Sequence, residues 1–213
     1  MIRKLTAVSL IAVGALAACS DDADSEETTA PETISSEGTD GTSDTDGNTD
    51  TEGTDGAMAV DGDQATSTDG RYTFTLADGW QAYPAPLSDN VNITVLLVAG
   101  VNESEFVPNL VGTWMAASDV TPSTYEDWKA SAEEVLGGEG TEITDAEPLQ
   151  ADGETINGIR IDRTVDGVNI IQIVYLIQSE EGNQEVAYTA LPDDFDTHLP
   201  DIQSMIESIS ANN

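Results

Sequence analysis

The sequence predicts an α+β domain, an antiparallel β-sheet flanked by helices, preceded by a signal peptide and a disordered acidic linker. Three observations carry this prediction. Short β-rich runs separated by turn residues recur between residues 70 and 191. Two other stretches place apolar residues at helical spacing instead. Residues 20–69 hold 16 acids, no Lys or Arg and no aromatic residue, a composition that cannot bury enough surface to offset its chain entropy.

The chain opens with Met1-Ile2-Arg3-Lys4, a basic start, followed by an apolar stretch from Leu5 to Leu16. As a helix that stretch would measure roughly 18 Å, short of the ~30 Å bilayer core. The order of basic, apolar and small residues is that of a secretory signal, assigned to residues 1–18. Its end, Leu16-Ala17-Ala18-Cys19, resembles a bacterial lipobox. That resemblance implies that the Cys19 thiol receives a diacylglyceryl group, with acyl chains such as palmitate, and becomes the first mature residue. Two chains of ~14 methylenes contribute on the order of 20 kcal/mol of membrane affinity. The chain is then expected at the outer face of the cell membrane, held by its lipid. The acidic linker is assigned to residues 19–69. About 50 flexible residues span ~40 Å on average, and repulsion among the acids extends them further.

The folded domain is assigned to residues 70–213, in chain order as follows. Arg71 to Leu76 alternates polar and apolar residues as a strand, and Asp78-Gly79 turns the chain before Trp80. Val91–Val98 and Asn109–Ala117 are two further strands. Pro122, with Thr121 as N-cap, opens a helix whose stripe is Tyr125, Trp128, Ala132, Val135 and Leu136, ended by Gly137-Gly138. Strands follow at 141–149 and 154–164, and Asp166-Gly167 marks a hairpin. Val168–Ile177 is apolar on both faces apart from Asn169 and Gln172, so it belongs in the middle of a covered sheet. A strand at 184–191 and a helix near 197–210, with Leu199, Ile202, Met205, Ile206 and Ile209 on one face, complete the domain.

Charge narrows the function. The formal net charge is −35, and residues 70–213 carry 25 acids against Arg71, Lys129, Arg160 and Arg163. Such a surface repels phosphate backbones and anionic headgroups, which excludes nucleic acid as a partner. Cys19 and His198 are the only residues of their kinds. No disulfide within the chain is possible, and a zinc or copper site, or any cofactor, is not expected. An EF-hand loop read from Asp44 or Asp46 fails because Thr49 or Thr51 stands where Gly is required. Asp193-Asp194-Phe195-Asp196 is read as a solvated loop favouring the N-terminus of the next helix, and His198 as a surface or helix-entry residue. The sequons at Asn92 and Asn102 have no role in a bacterial lipoprotein.

Tyr72-Thr73-Phe74-Thr75-Leu76-Ala77-Asp78-Gly79-Trp80 resembles the opening strand and turn of PsbP-like domains, with Ala77 where Pro is usual. Pro108-Asn109-Leu110-Val111-Gly112-Thr113-Trp114 resembles their second signature, and Thr124-Tyr125 and Ile206-Glu207-Ser208-Ile209 fit as well. With the lipobox, the chain resembles the LpqN/LpqT-type lipoproteins of actinobacteria over residues 70–210. The resemblance implies a sheet with flanking helices on the cell envelope and no catalytic residues.

The function expected is therefore non-enzymatic: a membrane-anchored lipoprotein binding an envelope lipid, a cell-wall component or an exported protein. Trp80, Tyr83 and Trp114 are the candidate ligand-binding residues, as the lining of an apolar groove, set against plain core packing. The alternative is a hydrolase working on envelope material through carboxylates. A carboxylate whose pKa is raised by burial would favour it.

Overall fold

The computed structural model describes residues 58–83, 93–100, 106–118 and 124–212. The expected signal peptide, Cys19 and the expected linker as far as residue 57 lie outside them, as do Thr121 and Pro122.

Two antiparallel sheets face each other. The larger is built from β4 (Trp80–Ala82), β5 (Ile93–Ala99), β6 (Asn109–Ala116), β7 (Glu142–Asp145), β9 (Glu154–Val165), β10 (Val168–Gln178) and β11 (Gly182–Ala190). Their order is β4-β5-β6-β11-β10-β9-β7, with β8 (Leu149–Ala151) paired to β9. The β9–β10 hairpin turns at Asp166-Gly167, both at positive φ (51° and 82°), the backbone a two-residue hairpin requires. β10 lies between β9 and β11 and is buried on both faces from Ile170 to Leu176. Its Gln172 is buried too, donating to Thr189 Oγ1 on β11 (3.0 Å) and accepting from Arg163 (3.3 Å).

The smaller sheet corrects the domain boundary. Residues 58–69 belong to the fold: β1 (Ala59–Asp61) and β2 (Gln64–Thr66) form a hairpin, and the order is β1-β2-β3-β12, with β3 at Tyr72–Thr75 and β12 at Ser210–Ala211. Ala65 is fully buried and Met58 nearly so. Both pack into the main core with Phe74. Composition misplaced this stretch because its strands are only three residues long and only Ala65 among their side chains is buried, too little to show a period.

Each face of the large sheet carries one helix. α1 (Tyr125–Leu136) seals Ile159, Ile161, Val174, Leu176 and Ala187 with Trp128 and Ala132. Its N-cap is Thr124, not Thr121. Thr124 Oγ1 accepts from the Asp127 N–H (3.2 Å) while the Thr124 N–H donates to the Asp127 carboxylate (3.3 Å), a capping box. Val135 is not part of the packed stripe and is 60% exposed. It lies at the margin of the helix face, where the long Trp128 ring reaches the sheet but a valine does not. α2 (Pro192–Glu207) and the small sheet cover the opposite face. Phe195, Ile202, Met205 and Ile206 are each at most 1% exposed, and each such side chain stabilises by ~1.5–3 kcal/mol. α2 begins before its expected start. Pro192 occupies the first turn, so Asp193, Asp194 and Asp196 are helical residues beside the positive end of the helix dipole.

Candidate functional site

The space between the large sheet and α2 is filled with side chains. An apolar void beside Phe74, Val95, Leu110 and Met205 amounts to about 10 Å³, too small for a ligand. The open concavity lies elsewhere, where the small sheet meets one end of the large one. A groove of about 610 Å³ runs between β3 and β12 on one side and the β8–β9 hairpin and the β10–β11 turn on the other.

Its wall is aromatic and aliphatic. Trp114 and Tyr72 lie with ring centroids 6.1 Å apart, joined by Ile156, Leu176, Ile177 and Ile209. Trp114 reaches this position because Gly182, which pairs with Ala116 across the β6–β11 ladder, leaves room beside it for the indole. A Cβ at Gly182 would meet Trp114 Cζ2 at 2.7 Å and collide with the Met115 carbonyl oxygen. Arg71 covers the indole, its guanidinium carbon 4.4 Å from the ring centroid. Arg71 also pairs with Glu181 (2.6 Å) and Asp69 (3.2 Å). Burial first, and then the Asp69 carboxylate, push the Tyr72 hydroxyl above the ordinary phenol range. Asn212 ties the β12 end to β3, donating to the Gly70 carbonyl (2.8 Å). Tyr125 borders the groove from α1, its hydroxyl 2.8 Å from Asp145 and 2.9 Å from the Gly158 carbonyl.

The three aromatics expected to share a groove are not brought together. Trp80 is 5% exposed in the main core, its ring edge-on to Tyr188 and to His198 on α2 (centroids 6.4 and 5.8 Å). Its indole Nε1 has no hydrogen-bond partner among the described residues. Tyr83 lies at the end of β4, 46% exposed. Trp114 alone lines the groove. Cys19 lies outside the described residues.

A second feature was invisible in the sequence. Glu185 on β11 sits beneath α1, 2% exposed. Burial raises its pKa to about 7, opposed in part by the Trp128 indole, which donates to Glu185 Oε1 at 2.7 Å. Its cross-strand neighbour on β6, Thr113, has a buried hydroxyl with no partner among the described residues. Nothing distinguishes Glu185 in the sequence, where it is one of 41 acids. Among the described residues no group of three or more His, Cys, Asp or Glu could hold a metal ion, and no helix is long and apolar enough to cross a membrane.

No protein-family model matches the chain, and no curated protein matches it in sequence. Solved structures do resemble it. LpqN of Mycobacterium tuberculosis, described as involved in cell envelope biogenesis, is 13% identical with a TM-score of 0.49, covering 67% of this chain and 83% of its own. A Pseudomonas aeruginosa protein of unknown function is 13% identical with a TM-score of 0.47, covering 68% and 99%. The cyanobacterial PsbP protein CyanoP of Synechocystis sp. is 13% identical with a TM-score of 0.50, covering 74% of this chain and 94% of its own. At that identity the likeness concerns the backbone alone: a mostly antiparallel sheet with two helices, the fold of PsbP-like domains.

Proposed function

We propose that this protein is a lipid-anchored, extracytoplasmic binding module, non-enzymatic, that holds an envelope lipid, a cell-wall component or an exported protein in the groove beside Trp114. The groove carries this reading: about 610 Å³ with an aromatic wall, within the size range of ligand sites. The lipobox at Leu16–Cys19 supports the anchor, and the acidic linker supports a domain held clear of the headgroups. Two substitutions test the two halves. Cys19→Ser should move the protein from the detergent phase to the aqueous phase, and unchanged partitioning refutes the anchor. Ala211→Trp puts an indole into the groove from an exposed position on β12. The Cys19→Ser chain, exposed to an envelope extract and examined by native mass spectrometry, should retain a ligand that the added Ala211→Trp loses. Identical spectra refute the groove.

Glu185 is the observation that favours the alternative, a carboxylate-dependent hydrolase, because its pKa is raised by burial. Its place under α1 closes it to a substrate in the present conformation. That reading requires turnover of a glycan or ester that Glu185→Gln abolishes.

A further inference from the structure

Asp152, Glu154, Glu180 and Glu181 stand around the groove. Glu181 is engaged by Arg71. No basic side chain lies within ion-pair distance of Asp152, Glu154 or Glu180 among the described residues, and none is spare to reach them. The domain has four basic residues. Lys129 is paired to Asp145, Arg160 to Asp162, and Arg71 to Asp69 and Glu181. Arg163 bonds Gln172 in the middle of the sheet, on the α1 face. Three carboxylates thus border a groove of mixed polar and apolar lining with no cationic partner among the described residues.

Two features favour a polypeptide over a small cation. First, the groove already accommodates a guanidinium, since the partly exposed Arg71 lies over the buried Trp114 ring and against the exposed Glu181. Second, Ala211 and Ala151 border the groove from two short strands that, among the described residues, pair on one side only, β12 to β3 and β8 to β9. A strand with a free edge can be extended by an incoming chain, with alternate side chains entering a groove.

We infer that the groove binds an extended segment of an exported protein that alternates Lys or Arg with apolar residues: the apolar side chains against Trp114, Leu176 and Ile177, and the cations against Asp152, Glu154 and Glu180. This inference rests on the groove being the binding site and names its ligand.

The three tryptophans provide the readout, because only Trp114 lines the groove while Trp80 and Trp128 are buried elsewhere. The Cys19→Ser chain is titrated with a blocked seven-residue peptide alternating Lys and Val, and the three indole N–H resonances are followed. The Trp114 resonance should move while the other two stay, and affinity should fall steeply as salt rises from about 20 to about 500 mM. Replacing Asp152, Glu154 and Glu180 by their amides should weaken binding about ten-fold. The same change at Asp193, Asp194 and Asp201 on α2 should leave it unaltered. Equal weakening by both triple variants would reduce the effect to the general field of a polyanion and overturn the inference. A Ser/Val peptide binding as tightly as the Lys/Val peptide overturns the charge requirement but leaves the groove as a site. A linear tetra-amine binding as tightly overturns the polypeptide in favour of a small cation. Absence of any shift at Trp114 overturns the inference outright, while the Ala211→Trp comparison separately decides whether the groove binds another ligand.

Discussion

Replacing Glu185 by Gln should stabilise the domain in neutral and alkaline solution and do almost nothing in acid. In the unfolded chain this carboxyl has an ordinary pKa near 4.5, and in the folded protein burial raises it to about 7. A raised pKa means that the folded state holds the proton more tightly than the unfolded state does. The stabilisation is therefore complete below about pH 4.5 and is lost as pH rises through about 7. The gap is about 2.5 units, and at ~1.36 kcal/mol per unit the loss is about 3 kcal/mol. Gln keeps the acceptor for the Trp128 indole without titrating, so it lacks this loss. Urea unfolding of both proteins from pH 4 to 8.5 isolates the effect, because the remaining acids contribute equally to each. The two curves should coincide near pH 4 and separate to about 3 kcal/mol by pH 8. In thermal unfolding that gap is on the order of 6–12 °C for a domain of this size. A difference constant with pH, or a Gln variant less stable than the parent at pH 8, would refute the assignment of Glu185 as a buried acid held neutral by the fold.

Two further outcomes follow from packing. A fragment beginning at residue 70 should unfold at lower urea than one beginning at residue 58. It lacks Met58 and Ala65 from the core and the β2–β3 hydrogen bonds, and losing the Met58 contacts alone costs about 2 kcal/mol. Gly182→Ala should destabilise by about 1–3 kcal/mol, because the new methyl collides with the Met115 carbonyl and the Trp114 ring. Denaturation midpoints measure the loss, and a changed environment of the Trp114 indole should accompany it; an unaltered midpoint would show that β6 and β11 separate without cost.

Most of the secondary structure was legible because its signals are local. The alternation at β3, the double-sided apolar run of β10, the Asp166-Gly167 turn and the stripe of α2 each specify a conformation within a few residues. β1, β2, β4 and β12 were not legible as strands. Each has two or three residues, too few to show a period, and each exists because a neighbouring strand supplies its hydrogen bonds. The start of α1 was legible only to within a turn: Thr121 was expected as the cap, and the side-chain geometry puts the cap at Thr124.

The class of the domain, the periodic faces of both helices and the impossibility of a disulfide within the chain could be read from the amino-acid order. Those properties depend on composition and on spacing along the chain. Tertiary structure alone decided which of Trp80, Tyr83 and Trp114 faces a groove, and that residues 58–69 fold. It also decided that one acid among 41, Glu185, is held beneath a tryptophan. Each of these depends on which surfaces remote segments leave open or close, and burial is a property of the packed assembly rather than of any one stretch of chain.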